Sequence, residues 1–154
     1  MQTFLCEPTF SLSLAHLDYK RLGKQRVEAY QILLALGDEW SWSVYTGSKT
    51  PETYGWKHHP AVKMWSGYET QLKIYHDMCI GAWLYLGYSN NMPLAFADTL
   101  NYRSIPNPIW YTKEFIMSHR CKLLQKNYNY YSKYNWIVPN NWQDVNYIWP
   151  VKCM

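Results

Sequence analysis

Between Asp18 and Leu36 the chain places Arg21, Lys24, Gln25, Arg26 and Glu28 within two turns of one expected helix. Amines and guanidinium groups there can grip an anion such as a phosphate, and a carboxylate can stabilise a cation or move a proton. Around a wheel of about 100° per residue, Leu22, Ala29, Leu33 and Leu36 lie within about 40° of one line, which faces the core. Gln25 and Arg26 fall about 60° and 40° from that line, where an ordinary amphipathic helix carries Leu or Val. Both are expected to be partly buried, and Arg26 then needs a charged, hydrogen-bonding partner. Glu69, Asp77 or an external phosphate would serve. Lys24 and Glu28 sit at i, i+4, where ammonium and carboxylate can meet, so a plain solvated salt-bridge face accounts for them equally.

A second constellation, Gly55-Trp56-Lys57-His58-His59-Pro60-Ala61-Val62-Lys63-Met64-Trp65, puts His58, His59 and Lys63 at a helix start. Free N–H groups and the positive dipole end there suit a phosphate, and Trp56 has the shape to stack on a base or wedge into a duplex step. The two histidines equally suit a helix cap. The third cluster, Ser118-His119-Arg120-Cys121-Lys122, is compact and basic, and reads either as an anion contact through His119, Arg120 and Lys122 or as a solvated face. His76 with Cys79 and His119 with Cys121 match no usual structural zinc spacing, so no metal is expected. A GxSxG elbow, a GxGxxG fingerprint and a P-loop are all missing, which argues against a Ser–His–acid hydrolase and against nucleotide-cofactor chemistry.

The elements that must carry these residues follow from periodicity and punctuation. The segment through Pro8 reads as extended, and Phe10 to Leu17 as a short helix or turn. Asp18 is placed as N-cap of the first firm helix and Gly37 as its terminator. Residues 38–58 read as a loop rich in Trp and Tyr. Pro60 opens a helix expected to run to Tyr85, about 38 Å, with Gly67 and Gly81 as interior soft points. Residues 89–108 read as loop with one short turn near Leu94 to Leu100. Thr112 caps a last helix to Lys126, followed by an aromatic tail.

The 154 residues are 48% hydrophobic and 17% charged, which fits one folded domain and excludes a disordered tail protein. The expected class is all-α: a compact single-domain helical bundle with long aromatic-rich loops. Fifteen Lys and Arg against 11 acids give +4, a mild bias toward an anionic partner. Nine Trp and 15 Tyr against four Phe suit interfaces and base stacking as well as a core. No apolar stretch approaches the roughly 20 residues of a membrane span. The start lacks a secretory signal, and Cys6, Cys79, Cys121 and Cys153 form no disulfide framework, so an intracellular, cytoplasmic protein is expected.

The start Met1-Gln2-Thr3-Phe4-Leu5, the run Leu17-Asp18-Tyr19-Lys20-Arg21-Leu22-Gly23-Lys24-Gln25-Arg26-Val27-Glu28, the Gly55 to Trp65 block, Ser118-His119-Arg120 and Tyr147-Ile148-Trp149-Pro150 resemble a family of small proteins. Its members are assigned as pyrimidine-dimer DNA glycosylases of the phage endonuclease V type. The resemblance implies a DNA repair glycosylase with abasic-site lyase activity. Such an enzyme excises damaged pyrimidines, cyclobutane dimers, from kinked double-stranded DNA, working as a monomer without metal or cofactor, and viral or phage origin fits that type. In the family the nucleophile is the N-terminal α-amine and a glutamate near the start of the first long helix assists. Arg21, Lys24 and Arg26 then correspond to the phosphate grip and Glu28 to the carboxylate. Because Gln2 is bulky, the amine is that of Met1, or the task passes to Lys24. In another register the glutamate matches Gln25. A non-catalytic nucleic-acid-binding helical protein is the alternative, and it would bind with steep salt dependence without nicking irradiated plasmid.

Overall fold

The computed structural model describes residues 1–96 and 105–150. Among them the secondary structure is entirely helical: α1 (Phe10–His16), α2 (Tyr19–Ala35), α3 (Glu39–Ser43), α4 (Pro60–Trp65), α5 (Glu69–Tyr85), α6 (Lys113–Lys126) and α7 (Tyr128–Tyr131), with 3₁₀ turns at Ser132–Tyr134 and Trp142–Asp144. The all-α expectation holds. Cys6, Cys79 and Cys121 are free and buried. Cys153, and most of the turn expected near Leu94 to Leu100, lie outside the described residues. None of the described helices is long and apolar enough to cross a membrane.

The Asp18 carboxylate accepts from the Arg21 N–H and opens α2, while Gly37, at φ +75°, closes it. The helix expected over Pro60 to Tyr85 is instead two. Gly67 takes φ +87°, which no helix can carry, so the chain turns after Trp65 and restarts at Glu69. The expected loop over residues 38–58 contains α3, capped by the Asp38 carboxylate on the Ser41 N–H.

Helices α2 and α5 form the central packed pair. Their approach depends on Gly23, where an added Cβ would stand 2.9 Å from the Trp83 ring. A Gly23→Ala change therefore forces the large Trp83 ring to shift. The expected result is a loss of about 1–3 kcal/mol in denaturant unfolding, despite alanine's better helix propensity.

The first seven residues decide where the polar side chains of these helices go. Residues 2–7 are buried but belong to no helix or strand, so side chains must satisfy their backbone. The Phe4 N–H donates to Gln25 Oε1 (2.9 Å), Leu5 N–H to His119 Nδ1 (3.1 Å), and Glu7 N–H to Ser13 Oγ (3.0 Å). Arg120 Nε donates to the Cys6 carbonyl (2.7 Å), Tyr75 Oη to the Phe4 carbonyl, and Trp65 Nε1 to Thr3 Oγ1 (3.0 Å). α1, α2, α4, α5 and α6 thus each hold this segment by a side chain.

Candidate active site

The clamp on the N-terminal segment positions a cavity of about 450 Å³ lined by Met1, Gln2, Phe4, Lys20, Arg21, Lys24, Gln25, Glu28, Lys126 and Tyr147. Its acidic and amine groups are set by one short network. The Gln2 backbone N–H donates to Glu28 Oε2 at 3.2 Å, and Gln25 Nε2 donates both to that oxygen (3.2 Å) and to the Gln2 carbonyl (3.0 Å). The Glu28 carboxylate is therefore held one residue away from the Met1 amine. Its other oxygen, Oε1, takes no hydrogen bond from the described residues.

Cations ring this pair. Lys20, Lys24 and Lys126 are exposed at the cavity, and Arg21 is half-buried with Nη1 on Asp18 Oδ1 at 3.1 Å. Among the described residues Lys24 makes no ion pair, and Glu28 bonds Gln2 and Gln25 in place of the i, i+4 partner expected for it. Tyr147 also lines the cavity. Burial pushes its phenol up to about 12, with Glu28 adding to the rise and Arg21 opposing it, so at neutral pH it is a hydroxyl donor.

Of the expected site residues, Met1, Arg21, Lys24, Gln25 and Glu28 meet here. Gln25 is buried, with Oε1 accepting from Phe4 N–H and from the Tyr75 hydroxyl, which makes it the holder of the network. Arg26 is not in the cavity. Its Nε donates to the Gly23 carbonyl at 3.2 Å, its Nη1 to Asn90 Oδ1, and its guanidinium lies over the Trp83 ring at 5.0 Å. Neither Glu69 nor Asp77 is its partner. Asp77 is occupied by His76 and by the Ala95 and Phe96 N–H groups, and Glu69 accepts from Gly67 N–H.

The Ser118 to Lys122 cluster also divides. His119 is fully buried, with Nδ1 spent on Leu5, so no phosphate can reach it. Arg120 pairs with Glu7 Oε1 at 2.7 Å and lies over Trp136. Lys122 donates to Asn146 Oδ1 at 3.1 Å and lies 5.2 Å from the Tyr147 ring centre, close to the cavity wall. Around the α4 start, Trp56, His58 and Lys63 are exposed, while His59 caps the helix by accepting from Ala61 N–H through Nδ1 (3.0 Å). Burial and then the positive charge of the N-terminal amine push the His59 imidazole down, which places it within electrostatic reach of Met1.

Cys6, Glu7 and His16 offer ligand atoms within 4.8 Å of one another. Arg120 already supplies the cation there, His16 Nδ1 and Trp136 Nε1 bond Glu7 Oε2, and burial pushes the Cys6 thiol up to about 12. The cluster is a structural ion-pair network holding the end of the N-terminal segment.

Burial pushes the His119 imidazole down to about 3, against about 6.5 in an unfolded chain. The unfolded state then binds more protons between these values, so stability is full above about 6.5 and falls as pH drops toward about 3. Lowering the pH from 7 to 5 is expected to remove about 2 kcal/mol through this group alone. Urea midpoints at the two pH values check it, with His119→Gln predicted to flatten the dependence.

Residues 1–96 match the family described as pyrimidine dimer DNA glycosylase. The chain belongs to that family. No curated protein and no solved structure matches it. The matched stretch contains the N-terminal segment and all of α2, α4 and α5, and so most of the cavity. Lys126 and Tyr147 come from beyond it. Lys20, Lys126, Phe4 and Tyr147 went unread in the sequence as cavity residues. Lys20 is adjacent to Arg21 and was within reach of the motif, but nothing local signals that Lys126 and Tyr147 fold back onto α2.

Proposed function

We propose that the cavity is the active site of a DNA glycosylase with abasic-site lyase activity on damaged pyrimidines in double-stranded DNA. The observation that carries this reading is the shared cavity of the Met1 amine and the Glu28 carboxylate, with Lys20, Arg21, Lys24 and Lys126 around them. The Met1 nitrogen, in its unprotonated form, attacks C1′ of the lesion's deoxyribose, and the base departs with the glycosidic electron pair. The carboxylate stabilises the positive charge that develops on the sugar. Opening of the sugar ring gives a Schiff base between the amine and C1′. Loss of the C2′ proton to Glu28 then expels the 3′-phosphate and nicks the strand. Met1 is preferred to Lys24 because the Gln2–Glu28 bond ties the N-terminal residue to the carboxylate, whereas Lys24 is exposed and unpaired by Glu28.

The cations supply the grip on the phosphate backbone. Replacing Lys20, Lys24 and Lys126 together by Gln is expected to flatten the dependence of log affinity on log salt by about 0.9 for each phosphate contact removed. An unchanged slope would place the DNA elsewhere on the surface. Ultraviolet-irradiated supercoiled plasmid tests the activity: the proposal expects relaxed circles from irradiated plasmid only. Salt-sensitive binding without nicking would leave a non-catalytic nucleic-acid-binding protein.

A further inference from the structure

A row of ring contacts links Tyr147, which lines the cavity, to the surface. Tyr147, in the cavity wall, lies 5.5 Å from Trp149; Trp149 lies 6.2 Å from His59; and His59 lies 5.9 Å from Trp56, centre to centre. The contacts are tilted or edge-to-face, at 53°, 88° and 68°, so the rings are not paired off in parallel stacks. Trp56 ends the row with 56% of its surface in water.

Other exposed aromatics differ. Tyr19 and Tyr88 are stacked in parallel with each other, Tyr88 also with Trp83, and Tyr128 is stacked on Trp142. Tyr85 is more exposed but lies at the far end of α5, outside the row. Trp56 also adopts φ +71°, a left-handed backbone that bulky side chains rarely take and that persists only where the surroundings impose it. Lys57 beside it is exposed, giving the row's outer end a positive edge.

We propose that Trp56, at the end of the His59–Trp149–Tyr147 row, is the stacking platform for a nucleobase released from the duplex when the lesion's sugar enters the cavity. This rests on the glycosylase reading above and adds where the displaced base goes. A base taken out of the helix loses its stacking and needs a flat apolar partner close to the reacting sugar. The row supplies one that is continuous with the wall of the cavity.

The test compares binding of wild type, Trp56→Ala and Trp56→Phe to three DNAs: a duplex with a tetrahydrofuran abasic analogue, the intact duplex, and single-stranded oligothymidylate. Trp56→Ala is expected to weaken binding about 5- to 150-fold on the abasic duplex and on the single strand, where bases are free to stack, and under twofold on the intact duplex. Trp56→Phe should restore most of the loss. Equal losses on all three DNAs, or none, would overturn the platform. 2-Aminopurine placed opposite the analogue, or beside it on the same strand, identifies the stacked base, since only that position should brighten on Trp56→Ala. Brightening at neither counts against the proposal. Borohydride trapping in parallel separates the two claims: an adduct without a Trp56 effect removes the platform alone, whereas losing the adduct but keeping the Trp56 effect on single strands removes the glycosylase reading.

Discussion

Replacing Glu28 by Gln should leave binding to a damaged duplex within a few-fold of wild type while slowing strand cleavage by about 10²- to 10⁴-fold. The substitution is nearly isosteric, and the retained amide oxygen can still accept from the Gln2 N–H and from Gln25 Nε2, the two donors now on Glu28 Oε2. What disappears is the negative charge and the capacity to take a proton at the oxygen that holds no hydrogen bond from the described residues. Gel-shift affinity on an abasic analogue and single-turnover cleavage of the dimer-containing duplex measure the two separately. Parallel loss of both would make Glu28 a strut for the N-terminal segment.

Gln25→Leu should cost stability more than any other single change in the cavity wall, on the order of 3–5 kcal/mol by denaturant unfolding. Gln25 is buried and uses both ends of its carboxamide: it accepts from Phe4 N–H and Tyr75, and donates to the Gln2 carbonyl and Glu28. Leucine has similar bulk but leaves the Phe4 N–H and the Gln2 carbonyl without their partners, each at about 1–3 kcal/mol, while the Tyr75 hydroxyl keeps only the Phe4 carbonyl. Gln25→Glu restores the acceptor but sets a second carboxylate beside Glu28 with no N–H to offer. It should recover part of the stability and little of the cleavage. A Gln25→Leu protein as stable as wild type would mean that the segment is held mainly by its apolar side chains.

The helices were legible where local chemistry decides them. Asp18 and Thr112 announce the starts of α2 and α6, and Gly37 the end of α2, because capping and positive φ are properties of a few adjacent residues. Gly67 shows where that reading stops. Its type permits either an interior helical glycine or a turn, and tertiary packing selects the turn. The misplaced polarity of Gln25 was also legible, and it pointed to the right helix face. Its partner was not, since a backbone segment more than twenty residues earlier in the chain supplies it.

The same ambiguity separates Arg26 from Arg21. Both are cations on one helix, yet Arg26 is spent on Asn90 and Trp83 while Arg21 opens onto the cavity. His119 and Arg120 read as a basic cluster because residue type records charge and not direction. In the fold they brace the backbone of Leu5 and Cys6. Among the expected site residues, Gln25, His119 and Arg120 thus hold the N-terminal segment, whereas Met1, Arg21, Lys24 and Glu28 share a cavity with it.

Borohydride reduction during reaction with an abasic-site duplex tests that division most directly, because only an amine joined to the sugar as a Schiff base is trapped. A covalent protein–DNA adduct is predicted, with peptide mapping placing the linkage on the Met1 nitrogen and Glu28→Gln changing its rate of resolution. No adduct, or a linkage on a lysine away from the Met1–Glu28 cavity, would contradict the account.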